Sequence, residues 1–170
     1  MISRAWAVRL DGDAGPAHPS GAVVPTRALV IGVGNADRGD DAAGLLVARR
    51  VREIAGGRCH VVECTGALTD LLGVWARGDR VVVVDAMQGS HPGRWHRVDA
   101  RGAESLAGTA SSHGLGVGEL IGLARALDML PQSLVVYAVE GNDFRHGAPV
   151  QASILAAVGG VAEHVVAEVV

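Results

Sequence analysis

Gly32-Val33-Gly34-Asn35-Ala36-Asp37-Arg38-Gly39-Asp40-Asp41-Ala42-Ala43-Gly44 follows the apolar run Ala28–Ile31 and precedes Leu45-Leu46-Val47-Ala48. The order reads as strand, glycine-rich turn and helix start, which is the entry to an open α/β domain. Loops of this kind often cradle phosphate, for which they need backbone N–H groups and positive charge. This one carries three aspartates against a single arginine. It is suited to meet a cation, not an anion.

Working outward, apolar and amphipathic segments alternate along the chain. Strands are expected near 27–33, 59–64, 80–86, 94–98 and 133–139, and helices over 41–55, 67–76, 115–129 and 149–169. Ala28–Ile31 and Val81–Val84 are continuously apolar, as strands covered on both faces must be. The expected fold is therefore α/β: three layers, a mainly parallel twisted sheet of about five strands, and helices on both faces. The 94–98 strand follows its predecessor by a short connection and should run antiparallel. Residues 1–26, rich in Gly and Pro, read as a flexible N-terminal extension, leaving 27–170 as a single domain.

Composition narrows the chemistry. The 170 residues are 49% hydrophobic but only 3% aromatic, so the core must be built from Val, Leu, Ala and Ile. All 15 basic residues are arginine, which excludes any mechanism that needs a catalytic or P-loop lysine. No basic stripe or aromatic platform points to nucleic acid. No apolar stretch reads as a membrane span, and Met1–Leu10 lacks the apolar core of an export signal, so a cytoplasmic protein is expected. Cys59 and Cys64 lie five apart on a strand, on opposite faces, and should not pair with each other.

In open α/β sheets functional groups gather beyond the carboxyl ends of the strands. Three segments deliver polar side chains there. The first strand leads to Asp40-Asp41, the Val81–Val84 run ends on Asp85, and Ser111-Ser112-His113-Gly114 places an imidazole before a helix. Two carboxylates and one imidazole on a common point would suit a divalent transition metal with open coordination positions. The plainer readings stand beside this one: Asp40 or Asp41 as a helix cap, Asp85 as a turn former, His113 as a surface histidine. Other templates fail. A dinucleotide fingerprint would need glycine where Asp37 stands, and GxSxG and HExxH are missing. Nothing local lowers a thiol pKa for a Cys64–His113 nucleophile pair. His60, His91, His96 and His146 show no ligand spacing, and His164 with Glu168 reads as helix surface.

Gly32-Val-Gly-Asn35, Arg38-Gly-Asp-Asp41 with Gly44, Val-Val-Val-Val-Asp85-Ala86 and Ser112-His113-Gly114-Leu115 occur in an order and spacing that resemble the nickel–iron hydrogenase maturation endopeptidases. The resemblance runs over about residues 27–168. It implies the phosphorylase/hydrolase-like fold of that family and places its nickel-binding positions on Asp41, Asp85 and His113. The first ligand is often glutamate in relatives, and here it is the shorter aspartate. Relatives also carry a glycine–threonine turn where this chain has Glu63-Cys-Thr-Gly-Ala67.

The implied activity is an aspartic-type, nickel-dependent processing of the precursor of a nickel–iron hydrogenase large subunit, from which a C-terminal extension is removed. Nickel would be supplied by the substrate and sensed by Asp41, Asp85 and His113. Asp40 or Asp41 could act as general base on water, alternatively to a metal acting as Lewis acid. The enzyme would dock on its precursor as a monomer, with Phe144, Arg145 and His146 as possible contacts. Two other classes are consistent with the sequence: a metal-dependent chaperone of the same precursor that does not cut, and an unrelated zinc peptidase or amidohydrolase.

Overall fold

The computed structural model describes residues 9–10, 26–102 and 116–170. Six strands form one sheet in the order β1-β3-β2-β4-β6-β5. They are β1 (Arg9–Leu10), β2 (Ala28–Val33), β3 (His60–Cys64), β4 (Arg80–Gln88), β5 (Trp95–Asp99) and β6 (Ser133–Gly141). The four strands from β3 to β6 across the centre are parallel, and β1 and β5 pair antiparallel at the two edges. The five expected strands are present, and the two-residue β1, within the 1–26 segment, adds a sixth.

Alternate residues of each central strand enter two separate cores, as the two-residue period of a strand requires. On one face Val30, Val82, Val84 and Tyr137 pack against helices α1 (Ala43–Ala55) and α3 (Ala152–Val169). On the other Leu29, Ile31, Val81, Val83 and Leu134 pack against helix α2 (Val117–Ala126) and a 3-10 turn at Leu68–Gly73. Each of these side chains contributes about 1.5–3 kcal/mol by burial. The three layers follow the expected alternation, and among the described residues the core is built chiefly of Val, Leu, Ala and Ile as the composition implied.

The departures have physical causes. The helix expected over 67–76 is only the 3-10 turn, closed by Asp70 N–H to Ala67 O and Val74 N–H to Leu71 O. Glycines at 66 and 73 bound it, and six residues are too few to propagate an α-helix. β5 is antiparallel as expected, but its partner is β6. The chain from β4 arches over the carboxyl end of β6, where Gly89 and Gly93 donate to Gly141 O and Glu140 O. α3 is apolar and long enough by composition to cross a membrane. In the fold Ile154, Val161, Ala162, Val165 and Val169 are buried in the α1 core and Glu163 and His164 face solvent, the pattern of an amphipathic core helix.

Candidate functional site

From β2 the chain turns through α1 to β3 on one side, whereas β4 leads to β5 on the other side. β2 and β4 are neighbours, so their carboxyl ends flank the crevice where connections diverge, the usual ligand position in such sheets. Asp41 follows β2 and Asp85 lies within β4. The two expected carboxylates thus stand on opposite lips of one crevice.

Local backbone geometry places Asp41. The first residues of the expected helix 41–55 form a 3-10 turn, Gly39–Ala42, before α1 begins at Ala43. Gly34 takes a φ of +152°, and a Cβ there would lie 2.0 Å from the Asp41 carbonyl oxygen. Gly44 lets the start of α1 sit directly on the sheet: its Cβ would meet Val33 O at 2.2 Å and Val84 O at 2.4 Å. Asp41 is buried, with Asp41 N–H donating to Arg38 O and Asn35 N–H to Asp41 O.

Asp85 is 5% exposed, on the face of β4 that carries Val81 and Val83. Burial pushes its pKa up to about 7, against the Ala86 N–H that donates to Oδ1 at 2.8 Å and with the negative charge of Asp41 adding to the rise. Cys64, at the end of β3, is also near. Burial raises its thiol pKa, a hydrogen bond with the Gly66 backbone opposes this, and the charges of Asp70 and Asp85 add to it. That environment suppresses thiolate, so Cys64 is no activated nucleophile. Cys59 packs in the opposite core and both thiols are free.

Asp40 behaves differently from its neighbour. It is fully buried, but its side chain caps neither the 3-10 turn nor α1. It reaches across to the connection between β6 and α3. Oδ2 accepts from Asn142 N–H (3.0 Å), Asp143 N–H (3.2 Å) and the Gln151 side-chain amide (2.5 Å), and Oδ1 accepts from Gln151 N–H (3.1 Å). Gln151 is the residue that opens α3, so Asp40 satisfies the start of a helix over a hundred residues away. Four donors thus occupy the carboxylate that the sequence offered, with Asp41, as a candidate general base.

His113 lies outside the described residues. Among the described residues no group of three or more His, Cys, Asp or Glu side chains is arranged to hold a metal ion. Asp41 and Asp85 supply two hard oxygen donors from separate elements, with the charge excess that a cation would balance. Such a pair fits a divalent metal that brings its other ligands with it. Phe144 is half-buried against the α1–α3 core, Arg145 is exposed and paired with Asp143, and His146 is exposed. His164 and Glu168 do not meet. The His164 ring meets Trp95 at a tilt of 55°, and Glu168 accepts from Arg97 and from the Tyr137 hydroxyl.

Two buried carboxylates, Asp79 and Glu140, carried no signal that the sequence reading used. Glu140, near the end of β6, accepts from His96 Nε2 at 2.7 Å and His91 N–H at 3.0 Å, with Arg94 alongside. The hydrogen bonds from His96 and His91 hold its pKa below the ordinary carboxylate range. A signal existed, because Glu140 ends the apolar run Leu134–Val139 much as Asp85 ends the valines of β4. Its partners, two histidines without ligand spacing, gave none.

The sheet order, with two acids at the carboxyl ends of β2 and β4, defines an open α/β domain. No protein-family model matches the chain, and no curated protein matches it either. Solved structures do. A [NiFe] hydrogenase maturation protease, HycI from Thermococcus kodakarensis KOD1, aligns at 26% identity and TM-score 0.67 over 85% of this chain and 92% of its own. HybD from Thermococcus kodakarensis (21%, 0.68, 85% of this chain and 100% of its own) and HybD from E. coli (22%, 0.64, 84% and 91%) share the fold. The resemblance to the nickel–iron hydrogenase maturation endopeptidases that the motifs carry therefore extends to the whole domain.

Proposed function

We propose that this chain is an endopeptidase of hydrogenase maturation, which removes a C-terminal extension from the nickel-loaded precursor of a nickel–iron hydrogenase large subunit. The observation that carries the proposal is the pair Asp41 and Asp85, buried together at the sheet's switch point in a fold shared with maturation proteases. Nickel enters as part of the substrate. Asp41 and Asp85, with His113 as third donor, engage positions of that metal which the precursor leaves open, so a precursor without metal offers no anchor.

In the metal-free protein burial holds the Asp85 pKa up at about 7, and a carboxylate of the pair not engaged on the metal is available for acid–base work. In this mechanism Asp85 or Asp41 accepts a proton from the attacking water as the metal holds the scissile segment in register. Asp40 keeps the Asp41 turn in place.

The test is intact-mass analysis of a nickel-loaded large-subunit precursor incubated with this protein. Asp85→Ala, His113→Ala and a nickel-free precursor run alongside. Loss of a C-terminal peptide that requires nickel, Asp85 and His113 supports the protease. Tight nickel-dependent binding without loss of mass means a chaperone. Cleavage with zinc purified on the enzyme, indifferent to precursor nickel, means an unrelated metallopeptidase.

A further inference from the structure

We infer that Asp40 is a positioning residue: its carboxylate fixes the Gly39–Ala42 turn to the β6–α3 connection and thereby sets where the Asp41 carboxylate stands. The inference rests on the reading of Asp41 as part of the reaction site. Seven hydrogen bonds join the two segments. Four end on the Asp40 side chain, as described above. The other three are Asp40 N–H to Asp143 O (3.0 Å), Arg38 Nε to Phe144 O (3.1 Å) and Gly147 N–H to Asp37 O (2.7 Å).

The fit leaves no slack. A Cβ on Gly39, at a φ of +55°, would lie 2.4 Å from Asp143 O. A Cβ on Gly141 would lie 2.6 Å from the Asp40 Cβ. Successive side chains of a 3-10 helix diverge by about a third of a turn. Asp40 can therefore grip the β6–α3 connection on one side of the turn while Asp41 addresses Asp85 on the other. Any rotation of the turn moves both. Since three of the four donors to Asp40 are backbone N–H groups, no side-chain exchange in the connection removes them. The arrangement specifies a position for Asp41 that a free loop could not hold, and misplacement of a reacting group by about 1 Å costs up to a hundredfold in rate.

The test uses the full chain with Asp40→Asn, which keeps the volume but turns an amide NH₂ toward donors. Asp79→Asn, a buried carboxylate clamp at the opposite end of the sheet, serves as the structural control. Two readouts are taken below both melting temperatures. Hydrogen exchange at the amides of Asp40, Asp41 and Gly147 should speed at least tenfold in Asp40→Asn and stay unchanged in Asp79→Asn. On nickel-loaded precursor, kcat should fall ten- to a hundredfold with KM within about threefold in Asp40→Asn, and hold in Asp79→Asn. Unchanged exchange overturns the inference, as does faster exchange with kcat intact, which would make Asp40 structural only. A wild-type chain that does not process precursor refutes the proposed function instead, and the exchange readout still decides whether Asp40 fixes the turn.

Discussion

Replacing Asp85 by Asn should stabilise the metal-free protein, increasingly from about pH 4 to about pH 7 and fully above that. The amide has the same volume and its oxygen still accepts the Ala86 N–H, so packing is preserved. What changes is the charge. In the unfolded chain Asp85 ionises near 4, whereas in the fold it holds its proton to about 7, chiefly because it is buried. Between those values the native state binds a proton that the unfolded state has released, so stability falls as pH rises from about 4 to about 7. At about 1.4 kcal/mol per tenfold in proton affinity, the ionised carboxylate costs the fold up to roughly 4 kcal/mol above pH 8. Relaxation and water entry reduce that, and a gain of about 1–3 kcal/mol is expected for the variant at pH 8.5. At pH 4 or below, where the wild-type side chain is already neutral, the gain should nearly vanish. Urea unfolding of both proteins at the two pH values, with metal chelated, measures it. An equal effect at both pH values, or a destabilised variant at pH 8.5, would refute the picture of a strained buried charge.

Other outcomes follow from particular contacts. Asp79→Ala should cost about 2–3 kcal/mol, because its carboxylate takes the Arg27 N–H and guanidinium and the Ala76 N–H. Those donors outweigh burial and hold its pKa low, so the stability they supply is present above about pH 4 and lost on acidification, which urea midpoints at pH 7 and pH 3 will register. Gly44→Ala should cost at least about 1–3 kcal/mol, since its Cβ strikes two backbone carbonyls and α1 must lift from the sheet. Gly122→Ala in α2 meets nothing within 4 Å and should raise stability by about 0.5–1 kcal/mol in the same assay.

The sequence made the layers legible because their cause is local. Continuous valine runs can only be doubly covered strands, and the two-residue alternation then fills two cores. The Asp41–Asp85 pairing was legible for a related reason: both follow apolar runs, and the carboxyl edge of the sheet is fixed once the strands are parallel. Partner choice was less accessible. Nothing in Trp95–Asp99 says that β5 will pass over β6 to reach its far side, because that depends on a strand forty residues later. The role of Asp40 was hidden for the same reason. Read locally, Asp before a helix is a cap for that helix, whereas the helix it serves begins at Ala152. Glu140 was missed because its partners come from the β4–β5 connection and from β5.

Buried acids in this chain divide by how many donors meet them. Asp40 receives four N–H groups and Asp79 a guanidinium and two backbone amides, so each charge is neutralised where it stands and serves to tie segments together. Glu140, with two hydrogen bonds and an arginine beside it, belongs with them. Asp85 is as buried as these but, among the described residues, takes one backbone N–H and faces another acid. A fold selected for stability alone would put a valine there, continuing the run of four that precedes it. Ionised, that carboxylate costs the fold stability, a cost that a positive charge between β2 and β4 would offset. Donor count thus separates the acids that tie segments of the domain together from Asp85, which supports the proposed role of the Asp41–Asp85 pair.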